Sequence, residues 1–160
     1  MTERRRPPPA GDRRLPCGVR ADGATIDLTA GERIALCIMR CYFMSYARPQ
    51  SVDWELGFSN AVKHFGEQRG PNVAWCCLRT VQAMRVSRRT KFHFCDPFCP
   101  CCNKRLTNNE AHLMRSLQAV GRGKMGEARL SALMLCEGNP DAPFLEAVER
   151  LDSELRTVDA

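Results

Sequence analysis

The chain has 160 residues, of which 44% are hydrophobic and 26% charged, so it can build a hydrophobic core and is not disordered throughout. No apolar run reaches the ~18–20 residues that a membrane-spanning helix needs, and the N-terminus lacks the apolar stretch of a secretory signal. The formal net charge is +6, and ten residues are cysteines. We therefore expect a small cytoplasmic protein without membrane contact, whose chemistry centres on thiols.

Basic residues are concentrated in two segments of the chain. Residues 1–20 hold six arginines against two acidic residues, and residues 70–106 hold seven basic residues against one acidic residue. Such asymmetry is typical of a protein that contacts an anionic partner. The first segment is also rich in proline, so we predict a disordered arm over residues 1–24 and a single helical domain over residues 25–160.

Three helices are predicted before the densest group of cysteines. The sequence Thr29-Ala-Gly-Glu32 has the form of a capping box, and the helix that it opens should end at Arg48-Pro49. Apolar residues that recur at helical spacing and should face the core indicate the second helix: Trp54, Phe58, Ala61 and Phe65. The segment 66–71 contains Gly66 and Pro71 and should close this helix, and a third helix should cover residues 72–86.

Three further helices are predicted in the C-terminal part. A second capping box, Thr107-Asn-Asn-Glu110, opens a helix that Gly121 and Gly123 should end. Gly138 should stop the next helix, and Asn139-Pro140 supplies the cap and first residue of the last one. The apolar stripe of this last helix consists of Phe144, Val148, Leu151, Leu155 and Val158. Because no stretch alternates like a strand, we predict an all-α fold of about six helices, with an irregular insertion between the third and fourth.

The irregular insertion covers residues 91–106 and contains a candidate metal site. Cys99-Pro-Cys-Cys102 is a C-x-x-C turn, a spacing that lets two thiolates point at one ion. Clustered cysteines in a cytosolic chain bind a metal more often than they form structural disulfides. The sequence therefore predicts a metal-binding knuckle. The candidate ligands are Cys95, Cys99, Cys102, His93 and His112.

The spacing leaves the fourth ligand open. His93 would complete a Cys3His site within the insertion, whereas His112 would reach the metal from the first turn of the following helix. The remaining alternatives are Cys101 and a thiol of Cys76 or Cys77, one of which should lie in the core because adjacent helical residues face different ways.

Zinc is the cofactor that this set of ligands favours, and it would stabilise the fold rather than catalyse a reaction. An iron–sulfur cluster is the alternative. The Cys95-x3-Cys99-x2-Cys102 spacing resembles that of the cluster-binding cysteines of radical S-adenosylmethionine enzymes. That family builds a long α/β barrel, however, and this chain has neither the length nor the alternating strands for one.

The other helical cysteines have a simpler interpretation. Cys37 and Cys41 lie one turn apart on an apolar helix, and Cys136 lies on a later apolar stripe. Free cysteine packs as a small hydrophobic side chain, so we expect all three to fill the core.

The central basic segment suggests what the protein contacts. The candidate nucleic-acid-binding residues are Arg79, Arg85, Arg88, Arg89 and Lys91. We predict a zinc-stabilised regulatory or adaptor protein that contacts nucleic acid, including DNA in transcription regulation, or a protein partner. The alternative function is a redox or metal sensor that uses the cysteine cluster. No arrangement of nucleophile and base is recognisable, so we do not expect an enzyme.

Overall fold

The computed structural model describes residues 26–100 and 102–156. The predicted arm over residues 1–24, Cys101 and Val158 therefore lie outside the described residues. The described chain is all-α and contains no strand. Its five helices are α1 (Ala30–Ala47), α2 (Asp53–Ser87), α3 (Asn108–Gly121), α4 (Met125–Leu135) and α5 (Ala142–Arg156). Within the described ranges, no helix combines the length and the apolar character that crossing a bilayer requires.

Both predicted capping boxes are confirmed. At the start of α1, the Glu32 amide donates to Thr29 Oγ1 over 3.2 Å, and the Thr29 amide donates to the Glu32 carboxylate over 2.9 Å. Thr107 and Glu110 make the same reciprocal pair at the start of α3, over 3.1 and 2.9 Å. Each box satisfies amides that would otherwise lack a partner at a helix N-terminus.

The predicted boundary between the second and third helices is confirmed as a sharp kink at Gly66. No loop separates the two, however: they follow one another as the first arm (residues 53–65) and the second arm (residues 67–87) of α2, so the described residues form five helices where about six were predicted. Gly66 has φ 82° and ψ 168°, a conformation that glycine adopts without a steric penalty, and helical hydrogen bonding resumes directly after it. The two arms of α2 then lie very close together, since a Cβ on Gly70 would stand 2.5 Å from Val62 Cα. The chain therefore bends at Gly66 alone, and residues 67–71 belong to the second arm of α2 instead of a loop.

The first arm of α2 packs against α1 through small residues. Of the residues expected to face the core, Ala61 is buried and Phe65 packs against the core, whereas Trp54 and Phe58 do not. Gly57 and Ala61 are buried there, and a Cβ on Gly57 would meet Ile38 O at 3.2 Å. This close approach leaves Trp54 50% exposed and Phe58 42% exposed.

The core lies where α1, both arms of α2, and α3 to α5 meet. The predicted stripe of α5 is buried at Phe144, Val148 and Leu151, but α5 begins at Ala142 and not at Asn139-Pro140. The side-chain amide of Asn139 donates instead from Nδ2 to the Ser87 carbonyl over 2.7 Å. This side chain therefore joins the end of α2 to the α4–α5 connection and does not cap a helix.

Candidate functional site

A buried arginine of α1 attaches the cysteine-rich insertion to the helices. Arg40 Nε donates to Glu110 Oε1 over 2.7 Å, and its Nη2 donates to Glu110 Oε2 over 3.0 Å. Both side chains are almost fully buried, and the carboxylate helps to hold the arginine in its charged form, so the pKa of Arg40 is raised despite its burial. The fork-to-fork geometry is the strongest form of this ion pair.

The same two side chains bind the backbone of the insertion at several points. Arg40 donates to the carbonyl of Asn103 over 2.8 Å and to that of Arg105 over 2.6 Å. Glu110 accepts from the amide of Cys95 over 3.1 Å, in addition to its capping contact with Thr107. The ion pair therefore fixes both ends of the cysteine-rich turn. In the sequence, Glu110 is recognisable only as a capping residue, and no local pattern points to Arg40.

Aromatic packing holds the beginning of the insertion. The rings of Phe92 and Phe94 lie 4.4 and 5.4 Å from the ring of Phe43 on α1, measured between centroids. These two side chains belong to the edge of the core, whereas Phe98 at the tip of the insertion is 53% exposed.

The three described candidate thiol ligands lie close together in sequence, within residues 95–102 of the insertion. Cys95, Cys99 and Cys102 are all half-buried, and the Asn103 amide closes the turn by donating to the Cys99 carbonyl over 3.0 Å. Burial and the nearby Glu110 carboxylate raise the pKa of Cys95 to about 11. Among the residues that the structure describes, which exclude Cys101, no three His, Cys, Asp or Glu side chains come together in a group that could hold a metal ion.

The two candidate histidines occupy different environments. His93 is exposed, and its backbone carbonyl accepts from Thr107 Oγ1 over 2.6 Å. On α3, the buried Nδ1 of His112 has no hydrogen-bond partner among the described atoms. Burial lowers the pKa of His112, and the charges of Arg115 and Arg88 lower it further, so the neutral imidazole is favoured.

Cys76 and Cys77 face in different directions, as expected. Cys77 is fully buried in the core, with its thiol 3.9 Å from the Ala35 carbonyl. Cys76 is half-buried and lies in a surface groove formed mainly by the second arm of α2 and the N-terminal half of α5.

This groove gathers three of the predicted basic residues. Arg79, Arg85 and Arg89 line it from α2 and the residues that follow, and Arg150 lines it from α5. The groove encloses about 900 Å³, and the one acidic residue among its lining residues is Glu146, which pairs with Arg150 over 3.1 Å. We call this feature the arginine groove.

Aromatic side chains lie beside the arginines. Arg85 places its guanidinium carbon 3.5 Å from the centroid of the Tyr46 ring, close enough for a cation–π contact. Arg79 lies 5.9 Å from the centroid of Trp75, which is 59% exposed at the groove. Tyr46, Trp75 and Arg150 were not predicted as site residues, because their position at the groove depends on how α1, α2 and α5 pack.

Arg88 and Lys91 do not line the groove. Arg88 has a side chain only 6% exposed, which donates to the Leu135 carbonyl at the end of α4 and forms an ion pair with Glu137 over 3.5 Å. It therefore joins α2 to α4. Lys91 is exposed on the insertion.

Comparison of the chain with protein-family models, with curated proteins and with solved structures gives no match in any of the three.

Proposed function

We propose that the protein binds nucleic acid, preferentially single-stranded, along the arginine groove, in a regulatory or adaptor role rather than a catalytic one. The observation that carries this proposal is the grouping of Arg79, Arg85, Arg89 and Arg150 with the exposed Trp75 around one concave surface. Arginine is suited to phosphate because its planar fork donates two parallel hydrogen bonds.

The aromatic content of the groove favours single strands over duplexes. An exposed indole gives an unpaired base a surface to stack on, whereas the bases of a duplex are already stacked on one another. Trp75 would serve this purpose beside the cationic track. An acidic protein segment is the competing partner, since it would also be attracted by the arginines but would gain less from stacking.

The first prediction concerns the arginines of the groove. Replacing Arg79, Arg85 and Arg89 together by alanine should weaken binding to a fluorescent oligonucleotide of about ten nucleotides. If each arginine neutralises one phosphate, the slope of log K against log salt should become shallower by about 2, because each contact on a single strand contributes roughly 0.7. Fluorescence anisotropy over a series of salt concentrations measures both quantities.

A triple variant of equal charge serves as the control. Lys63, Arg122 and Arg129 are exposed and lie outside the groove, so their replacement by alanine should change the affinity and the slope much less. Trp75→Ala should weaken binding without changing the slope. If both triple variants lost the same affinity, binding would depend on the net charge of the protein and not on the arginine groove. If the protein bound an acidic peptide tightly and did not bind the oligonucleotide, the partner would be an acidic protein segment and not nucleic acid.

We propose in addition that zinc closes the cysteine-rich turn, with an iron–sulfur cluster as the alternative. Two features support this: Cys95, Cys99 and Cys102 follow one another at metal-ligand spacing within residues 95–102, and the Arg40–Glu110 pair already holds the backbone on both sides of that stretch. A metal bound there would hold the tip of the insertion, which the ion pair does not contact.

The second prediction tests this metal. Elemental analysis of protein purified without oxygen should find about one zinc per chain and no visible absorption, as expected of a closed structural site. The double variant Cys99→Ser and Cys102→Ser should then lose the metal and melt at a lower temperature. Iron with visible absorption would indicate a cluster instead. Protein that contains no metal, or a double variant that keeps its metal, would contradict the proposed site.

A further inference from the structure

A second pair of thiols lies at the crossing of α1 and α2, away from the arginine groove. Cys37 and Cys41 are one helical turn apart on α1, which places their side chains on the same face of that helix. The first arm of α2 approaches them closely, since a Cβ on Gly57 would meet Cys41 Cβ at 3.0 Å. The absence of a side chain at Gly57 thus brings the next turn of α2 within reach of the thiols.

The two thiols differ in burial, which corrects the expectation that both fill the core. Cys41 is 2% exposed, whereas Cys37 is half-buried and reaches the surface of the crossing. Asn60 of α2 donates from Nδ2 to Cys37 Sγ over 3.4 Å. An amide donor directed at a sulfur stabilises the thiolate form of that sulfur.

The surrounding charges act in the same direction. The pKa of Cys37 is lowered to about 6, first by a hydrogen bond from the Cys41 thiol, then by the charge of Arg40 and by Asn60, while burial opposes the change. The pKa of Cys41 is raised, first by its hydrogen bond with Cys37, so Cys41 keeps the proton that it donates. Asp53 of α2 also raises the pKa of Cys41, and Glu110 and Cys95 face Arg40 from α3 and the insertion.

The other helical thiols are poorer nucleophiles. Cys41, Cys77 and Cys136 are buried, and burial raises the pKa of Cys76 at the groove. Several described thiols have a shifted pKa. Among these, Cys37 is the one that is partly exposed and has a lowered pKa.

We propose that Cys37 is a site of covalent modification by thiol–disulfide exchange with a low-molecular-weight disulfide such as glutathione disulfide. In this reaction the Cys37 thiolate attacks one sulfur of the disulfide and forms a protein–S–S–R bond. The S–S bond of the reagent breaks, and the second half leaves as a thiolate that takes a proton from water. One S–S bond breaks as another forms: the Cys37 sulfur rises to the oxidation level of a disulfide, and the departing sulfur falls to that of a thiol, so no further oxidant is needed.

The third prediction is the pH dependence of this modification in the unmodified full-length protein. Brief treatment with iodoacetamide or glutathione disulfide, followed by peptide mass spectrometry, gives the rate at each cysteine. Raising the pH from 6 to 8 should increase the rate at Cys37 only about twofold, because about half of it is already thiolate at pH 6, whereas a thiol with an ordinary pKa of ~8.5 should gain roughly seventyfold. This ratio is independent of how accessible each thiol is.

Variants of the neighbouring residues identify the cause. Cys41→Ser keeps a hydrogen-bond donor and should preserve the shallow pH dependence, whereas Cys41→Ala and Asn60→Ala should each make it steeper. The measurement on the parent protein decides the proposal even if a variant does not fold. A steep increase at Cys37, like that at Cys76, or modification confined to unfolded protein, would overturn it.

Discussion

Replacing Glu110 by alanine is expected to lower the free energy of unfolding by about 3–5 kcal/mol, the cost of removing one partner of a buried ion pair. The variant would leave the Arg40 guanidinium buried without its carboxylate, and the amides of Cys95 and Thr107 would lose their acceptor. A domain of this size has a total stability of about 5–15 kcal/mol, so much of it would be lost. Urea unfolding followed by circular dichroism measures the change.

The position of the loss can be measured as well as its size. Hydrogen exchange at the amides of Cys95 and Thr107 should accelerate in Glu110→Ala more than exchange in the middle of α5, because both amides donate to the missing carboxylate. Glu110→Gln keeps an acceptor oxygen without the charge and should give an intermediate loss.

Glu146→Ala is the matched control for charge removal. Glu146 also pairs with an arginine, Arg150, but both side chains are more than half exposed, so its removal should cost no more than about 1 kcal/mol. If Glu110→Ala and Glu146→Ala had similar effects on stability, the Arg40–Glu110 pair would not be the attachment point of the insertion.

Replacing Gly70 by alanine is expected to destabilise the protein by about 2–3 kcal/mol or more, the upper part of the range for overpacked sites. The added Cβ would lie 2.5 Å from Val62 Cα, 2.7 Å from Val62 N and 2.9 Å from the Ala61 carbonyl oxygen. These are backbone atoms, so no side-chain rotation can relieve the contact, and the two arms of α2 would have to separate. The measurement is the unfolding midpoint in urea together with its slope.

Gly126→Ala is the matched control, and it is expected to raise the free energy of unfolding instead of lowering it. Gly126 lies in α4 with no neighbouring atom within 4 Å of the added Cβ, so alanine should stabilise by roughly 0.5–1 kcal/mol through its higher helix propensity. A Gly70→Ala variant as stable as the parent would show that the close contact between the arms of α2 is not maintained in solution.

The features that could be predicted from the sequence are those that depend on residues a few positions apart. Both capping boxes, the ends of α1 and α3, and the buried stripe of α5 were predicted because each rests on contacts within one or two helical turns. A break near Gly66 was also predicted. The number of residues in the break was not, because a single glycine with positive φ can redirect a helix without a loop.

In contrast, several buried side chains and the contacts between helices depend on tertiary packing and could not be predicted from the sequence. Arg40 lies within an apolar helix, and its charge is buried because Glu110, 70 residues later, and two carbonyls of the insertion satisfy its donors. Trp54 and Phe58 have helical spacing like that of core residues, yet both are exposed, because the close approach of Gly57 to α1 buries that glycine beside the predicted core residue Ala61. The arginine groove likewise exists only where α2 and α5 pack together, since long-range packing and not local periodicity selects one face of each helix.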